Sequence, residues 1–212
     1  MIPFQELFIF IFAALMLVIT PGPNMVYLIS RSITQGKNAG LISLAGIIMG
    51  FTFHVTLVSL GLTAVLFTVP YAYSTLKILG VCYLLYLSIQ AINPKNHGIF
   101  EARIDLKEDR PAKLFSMGFL TSVLNPKIAV FYLSFFPQFI KPSYGNVFYQ
   151  SLQLGITQMC VSFTVNFLIV LSAASMSLWF SPNPFWVKIQ KWFMASVLSG
   201  LAVKMAMDKT KY

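Results

Sequence analysis

Two short clusters interrupt otherwise apolar runs of this sequence: Thr20-Pro21-Gly22-Pro23-Asn24 and Asn125-Pro126-Lys127. A proline inside a helix donates no hydrogen bond and crowds the turn before it. Pro21, Pro23 and Pro126 therefore free the carbonyls four residues earlier, at Leu17, Ile19 and Ser122. Polar backbone left open in hydrocarbon costs several kcal/mol per group, so it must be buried in protein or line a wet cavity. Thr20 is placed to cap the restarted helix, with Pro21 at its first position. Each restarted helix then offers unpaired N–H groups and a partial charge of about +0.5. Two such ends meeting near the midplane make a cradle for an anion, above all a carboxylate.

Lys127 follows the second break directly and is the one charge near the centre of an apolar run. A buried ammonium costs at least about 2.5 kcal/mol on insertion scales, which marks it as functional by default. The plainer reading is a lysine that is neutralised or snorkels to support the fold. The freed carbonyls can also accept from an ammonium group, so the pair of breaks reads as a receptor for a zwitterion. His54 is the one side chain within an apolar run that titrates readily near neutral pH, and no Asp or Glu accompanies it there. It is the proton-coupling candidate, set against a neutral histidine hydrogen-bonded between helices.

Other residues carry weaker signals. Gly46, Gly50 and His54 share a helix face, and the two glycines predict close helix packing. Gln158, Ser162 and Asn166 form a row at four-residue spacing, with Gln150, Gln153 and Thr157 nearby. Such rows line a path or bond to neighbouring helices. Tyr83, Tyr86 and Tyr132 can close a cavity, although most aromatics in so aromatic a chain face lipid. Pro137 and Gln138 end the fourth apolar run, and His97 has no ligand-like companions.

The elements that must position these groups are membrane helices. The chain is 57% hydrophobic and 10% charged, against roughly 25% charged in soluble domains. Its net charge of +9 is not arranged as a nucleic-acid-binding stripe; Lys and Arg fall mostly between apolar runs. Cys82 and Cys160 sit inside such runs, where thiols behave as small hydrophobes, and no disulfide framework, metal site or cofactor motif is expected. The N-terminal run lacks the basic region and cleavage site of a signal peptide.

A crossing helix needs about 20 apolar residues. The candidates are Leu7–Ile29, Leu41–Val69, Tyr71–Ile92, Leu114–Ile140, Val147–Phe180 and Phe185–Met207. The last is flanked by Lys188, Lys191 and Lys204; it is either a short span with snorkelling lysines or a helix lying on the surface, the span being favoured. The predicted fold is an all-α integral membrane protein with six transmembrane helices, arranged as two inverted three-helix repeats with broken helices 1 and 4. Residues 1–212 make one transporter domain, with halves 1–92 and 114–212 and a loop at 93–113. Nine basic residues fall on the side of that loop and five on the other, which predicts a cytoplasmic loop and both termini outside. "ITPGPNMVYL" also echoes "LNPKIAVFYL". Breaks at matching positions of inverted halves point to a transporter's central site.

The stretches "PGPN", "SRSITQGKNAGL", "GIIMGFTFH", "LKILGVCYLLYL" and "NPKIAVFYLSFFPQFI" together resemble the lysine exporter (LysE/RhtB) family of amino-acid exporters. The match is dense from Pro21 to Ile140 and fainter through "SGLAVKMA". The resemblance implies a six-helix bacterial inner-membrane protein that exports amino acids or close derivatives, driven by the proton gradient. Gly22, Pro23, Asn24, Asn125, Pro126 and Lys127 carry the family's two central motifs without departure. The expected partners are an amino-acid substrate and membrane lipids, with no nucleic acid; a homo-oligomer is compatible. An exporter of another small solute, such as an inorganic cation, is the alternative, disfavoured by the missing buried carboxylates. An enzyme would need a nucleophile and base, or metal ligands, that the sequence does not supply. A membrane subunit without transport would have little use for paired breaks.

Overall fold

A computed structural model describes residues 1–20, 22–62, 72–92, 108–180 and 184–207. Every regular element among them is helical. The first apolar run forms α1 (Phe4–Ile19) and α2 (Pro23–Thr34), bent by 54° at the break. Gly36 begins α3 (Gly36–Leu57) with φ +82°, a left-handed conformation that glycine adopts without a side-chain penalty and that lets α3 turn back along α2. A π-helical stretch, Val58–Leu62, extends α3. Next come α4 (Ala72–Ile92) and α5 (Pro111–Val123). After the second break, α6 (Pro126–Val130) runs into a π turn (Phe131–Phe135) and a 3-10 turn (Phe136–Phe139). This second broken helix bends by 47°. The long α7 (Val147–Phe180) and α8 (Pro184–Met207) complete the chain.

Among the described residues two helices are long and apolar enough to cross a membrane unbroken, Gly36–Gly61 and Val147–Ala173. The two bent pairs raise the total to four if each is one span. The third and sixth predicted runs are helices, α4 and α8, that pack on each other. There the Ser88 hydroxyl donates to the Ala195 carbonyl at 2.9 Å and lies 2.9 Å from the Ser199 hydroxyl.

Several boundaries differ from the sequence expectation. The first run starts at Phe4 instead of Leu7, so Glu6 stands in the first turn of α1. Its second segment continues past Ile29 to Thr34, and α3 opens at Gly36 instead of Leu41. The polar stretch before α5 ends at Pro111 instead of Leu114. A proline at the first helical position loses no hydrogen bond and has its φ already set, so the helix starts there despite its polar surroundings.

Packing runs through glycines where α3 crosses α5. A Cβ on Gly46 would collide with the Phe115 carbonyl oxygen, one on Gly118 with the Ser43 carbonyl oxygen, and one on Gly50 with Ser122. The packing role expected of Gly46 and Gly50 is the one they have. At the other end, the buried Phe10 ring of α1 meets Phe131, Phe136 and Phe139 at centroid distances of 5.7, 5.8 and 5.2 Å. The start of the first broken helix thus lies against the end of the second, and the Arg31–Asp109 ion pair joins the end of the first to the start of the second. The two broken helices run antiparallel.

Candidate functional site

The first break is built differently from the expectation for Thr20. Thr20 ends α1: its N–H and its hydroxyl both donate back to the Met16 carbonyl, at 3.1 and 2.7 Å. The restarted helix is headed by Gly22 in an extended conformation, with Pro23 at the first position. Pro23 explains the correction, because the residue before a proline is pushed out of the helical region. Gly22 cannot readily be helical, so α2 cannot begin at Pro21. Pro21 itself lies outside the described residues.

The second break follows the expected pattern. Asn125 heads α6, its side-chain oxygen accepting from the Lys127 N–H at 3.0 Å, with Pro126 next. Its amide nitrogen donates to Asn24 Oδ1 of α2 at 2.9 Å. The two breaks therefore meet through side chains buried on both sides. Lys127 completes the junction: its ammonium donates to the carbonyls of Thr20 at 2.6 Å and Leu17 at 3.1 Å. The Leu17 carbonyl is one of those the prolines free, so the cation of the second break satisfies the open backbone of the first. This revises the expectation that the freed carbonyls await a substrate ammonium. The lysine stem crosses Gly22, where an added Cβ would stand 3.0 Å from Nζ and 3.1 Å from Cε.

Sequence reasoning did not find the groups around this junction that lack partners. Asn24 Nδ2 and Ser122 Oγ are buried without a hydrogen bond. The Ser122 carbonyl, freed by Pro126, accepts from the Asn125 N–H at 3.2 Å and lies 3.4 Å from His54 Nε2. The His54 ring stacks on Tyr132 at 5.3 Å between centroids, the planes 9° apart. The Tyr132 hydroxyl donates to Gln158 Oε1 at 2.7 Å, and Gln158 Nε2 is buried without a partner. His54 is thus not isolated: from α3 it reaches the second break at the Ser122 carbonyl. The open groups are two amide nitrogens and a hydroxyl, each able to donate a hydrogen bond.

Of the polar rows, Gln158, Ser162 and Asn166 are all buried. Asn166 Nδ2 donates within its own helix, to the Ser162 carbonyl at 2.8 Å and the Ser162 hydroxyl at 3.1 Å. Gln150 and Gln153 serve the fold. Gln150 binds the backbone of Lys141 and Gly145, and Gln153 accepts from the Ile2 N–H at 3.0 Å. Tyr86 is exposed, the Tyr83 side chain and His97 lie outside what is described, and Pro137 and Gln138 fall within the 3-10 turn Phe136–Phe139 that closes the second broken helix. Among the described residues no three His, Cys, Asp or Glu side chains converge on a metal-sized site.

The model of the LysE type translocator family matches residues 15–209 of this chain. Leucine efflux proteins of Salmonella choleraesuis and Salmonella typhi are each 24% identical to it over 93% of this chain and 92% of their own. An uncharacterized membrane protein of Pseudomonas aeruginosa is 25% identical over 81% of each chain. No solved structure matches.

Proposed function

We propose that this chain, which belongs to the LysE type translocator family, exports a neutral amino acid across a bacterial inner membrane. Members of that family are transporters rather than enzymes, and the chain is a multi-pass membrane protein. The finer parts of the reading are six spans in two inverted repeats, both termini outside, and coupling to the proton gradient.

The observation that carries the reading is the junction of the two breaks. Asn24 and Asn125 join the two helix starts, and Lys127 places its Nζ beside them. Asn24 Nδ2 stands unpaired at the same place, while the unpaired Ser122 Oγ lies against Gly50 of α3. A carboxylate is the ligand proposed there, because it accepts from Asn24 Nδ2, from Lys127 and from the first turn of α2, whose partial charge is positive. Thr20, Gly22, Pro23 and Pro126 act through their backbone shape, which directs carbonyls to Lys127 and N–H groups to the ligand. Lys127 already occupies the Leu17 and Thr20 carbonyls. Among the described residues no acidic side chain stands at the junction to receive a strongly cationic substrate, which favours neutral substrates; the leucine efflux proteins among the relatives agree with that class. His54, stacked on Tyr132 and near the Ser122 carbonyl, is the group proposed to exchange a proton during the cycle.

The test is efflux of labelled amino acids, leucine first, from preloaded proteoliposomes. Asn24→Ala and Lys127→Ala should each slow efflux at least about tenfold, since a hydrogen bond involving a charged group contributes about 1.5–3 kcal/mol. Wild-type rates from correctly inserted variants would remove the site. A wild-type protein that moves no amino acid would remove the function.

A further inference from the structure

Two ion pairs stand at opposite ends of the broken helices. At one end Arg31, in the last turns of α2, contacts Asp109 just before α5 at 2.7 Å, with only 11% and 10% of the two side chains exposed. Asp109 also binds Lys113 at 2.7 Å, and its carbonyl accepts from Gln35 Nε2 at 3.2 Å. Beside it the Arg31 guanidinium lies over the Tyr27 ring, whose hydroxyl donates to the Leu114 carbonyl at 2.9 Å. At the other end Lys141, just past the second broken helix, pairs with Glu6 in the first turn of α1 at 2.5 Å. The Tyr144 hydroxyl donates to the same carboxylate at 2.9 Å.

The two pairs correspond under exchange of the halves. Glu6 stands seventeen residues before Pro23, and Asp109 seventeen before Pro126. In each case the acid at the start of one broken helix holds the base at the end of the other. We infer that Arg31–Asp109 and Glu6–Lys141 are the two gates of the transport cycle, one at each membrane face, opened alternately to expose the central junction. The inference rests on the transporter reading above. Both pairs are formed here, so the broken helices are tied together at both ends at once. The part-exposed Glu6–Lys141 pair biases an equilibrium by only about fivefold. That is too little to be needed for holding helices together, and small enough to be broken in every turnover.

The experiment reads exposure from each side. A Ser122→Cys probe is placed beside the second break in a chain carrying Cys82→Ser and Cys160→Ser. It is labelled with a membrane-impermeant maleimide in vesicles of both orientations. Asp109→Asn should raise labelling about fivefold or more from the face bearing residues 108–110 and lower it from the opposite face. Glu6→Gln should do the reverse. The exchanged pair Arg31→Asp with Asp109→Arg should restore the original pattern. If both single variants change labelling from the same face, or neither changes it, the gates are refuted. Glu6→Gln alone decides the matter if Asp109→Asn fails to accumulate, because its pair is the more exposed. Labelling requires no amino acid, so shifted labelling without efflux of any amino acid would uphold the gates and refute the substrate.

Discussion

Lys127 takes one of the two roles that its sequence position left open, because its Nζ satisfies the open backbone of α1; charging the junction is the role the proposed function adds. Its prominence was legible as a lone cation beside a break; its partners were not, since its ammonium reaches across 110 residues of chain to Leu17 and no local pattern encodes that. Asp109 shows the same limit. Its neighbours Lys113 and, across the chain, Arg31 hold its carboxyl below the usual value, the Lys113 hydrogen bond counting most and desolvation opposing. A carboxyl lowered on folding stabilises the protein above its unfolded pKa, and that contribution disappears as pH falls through the folded one. Thermal unfolding in detergent should therefore show Asp109→Asn below wild type near neutral pH. The gap should close as pH drops past the ordinary carboxylate value of about 4. A gap that stays constant down to the most acid point would show that Asp109 stabilises by something other than its charge.

Among the elements, the glycine seam between α3 and α5 was legible from spacing alone, since Gly46 and Gly50 fall on one face. Its severity was not, because the obstacle at Gly46 is backbone, the Phe115 carbonyl. Backbone cannot swing aside as a side chain does, so Gly46→Ala should cost about 1–3 kcal/mol. The midpoint of thermal unfolding measures this, with Gly200→Ala in α8 as a control that meets nothing within 4 Å. Equal midpoints for the two variants would contradict the seam. The misplaced start of α2 has an equally local cause. Thr20 and Pro21 look like a cap and a first helical residue, yet a second proline two places on overrides them by holding Gly22 extended. Helix existence followed from apolar length; where each helix begins was decided by such pairwise steric rules and by polar contacts made elsewhere in the fold.

For the whole molecule, antiparallel broken helices imply that equivalent ends of the two halves face opposite sides. With the six spans proposed above, the chain returns to the side from which it started. Reporter fusions at both termini, one active only in the cytoplasm and one only outside it, should report the same side for each, the outer one. A split result would require an odd number of spans. The Lys127 tether adds a demand on biogenesis. Ribosomes make the acceptors long before the donor: Leu17 and Thr20 enter the bilayer while Lys127 is still untranslated. Bare carbonyls at that depth need interim shelter, from the insertion machinery or from trapped water. Until the lysine arrives, the first hairpin is an unfinished product, and a ribosome stalled before codon 127 should leave a nascent chain that quality-control proteases can still reach.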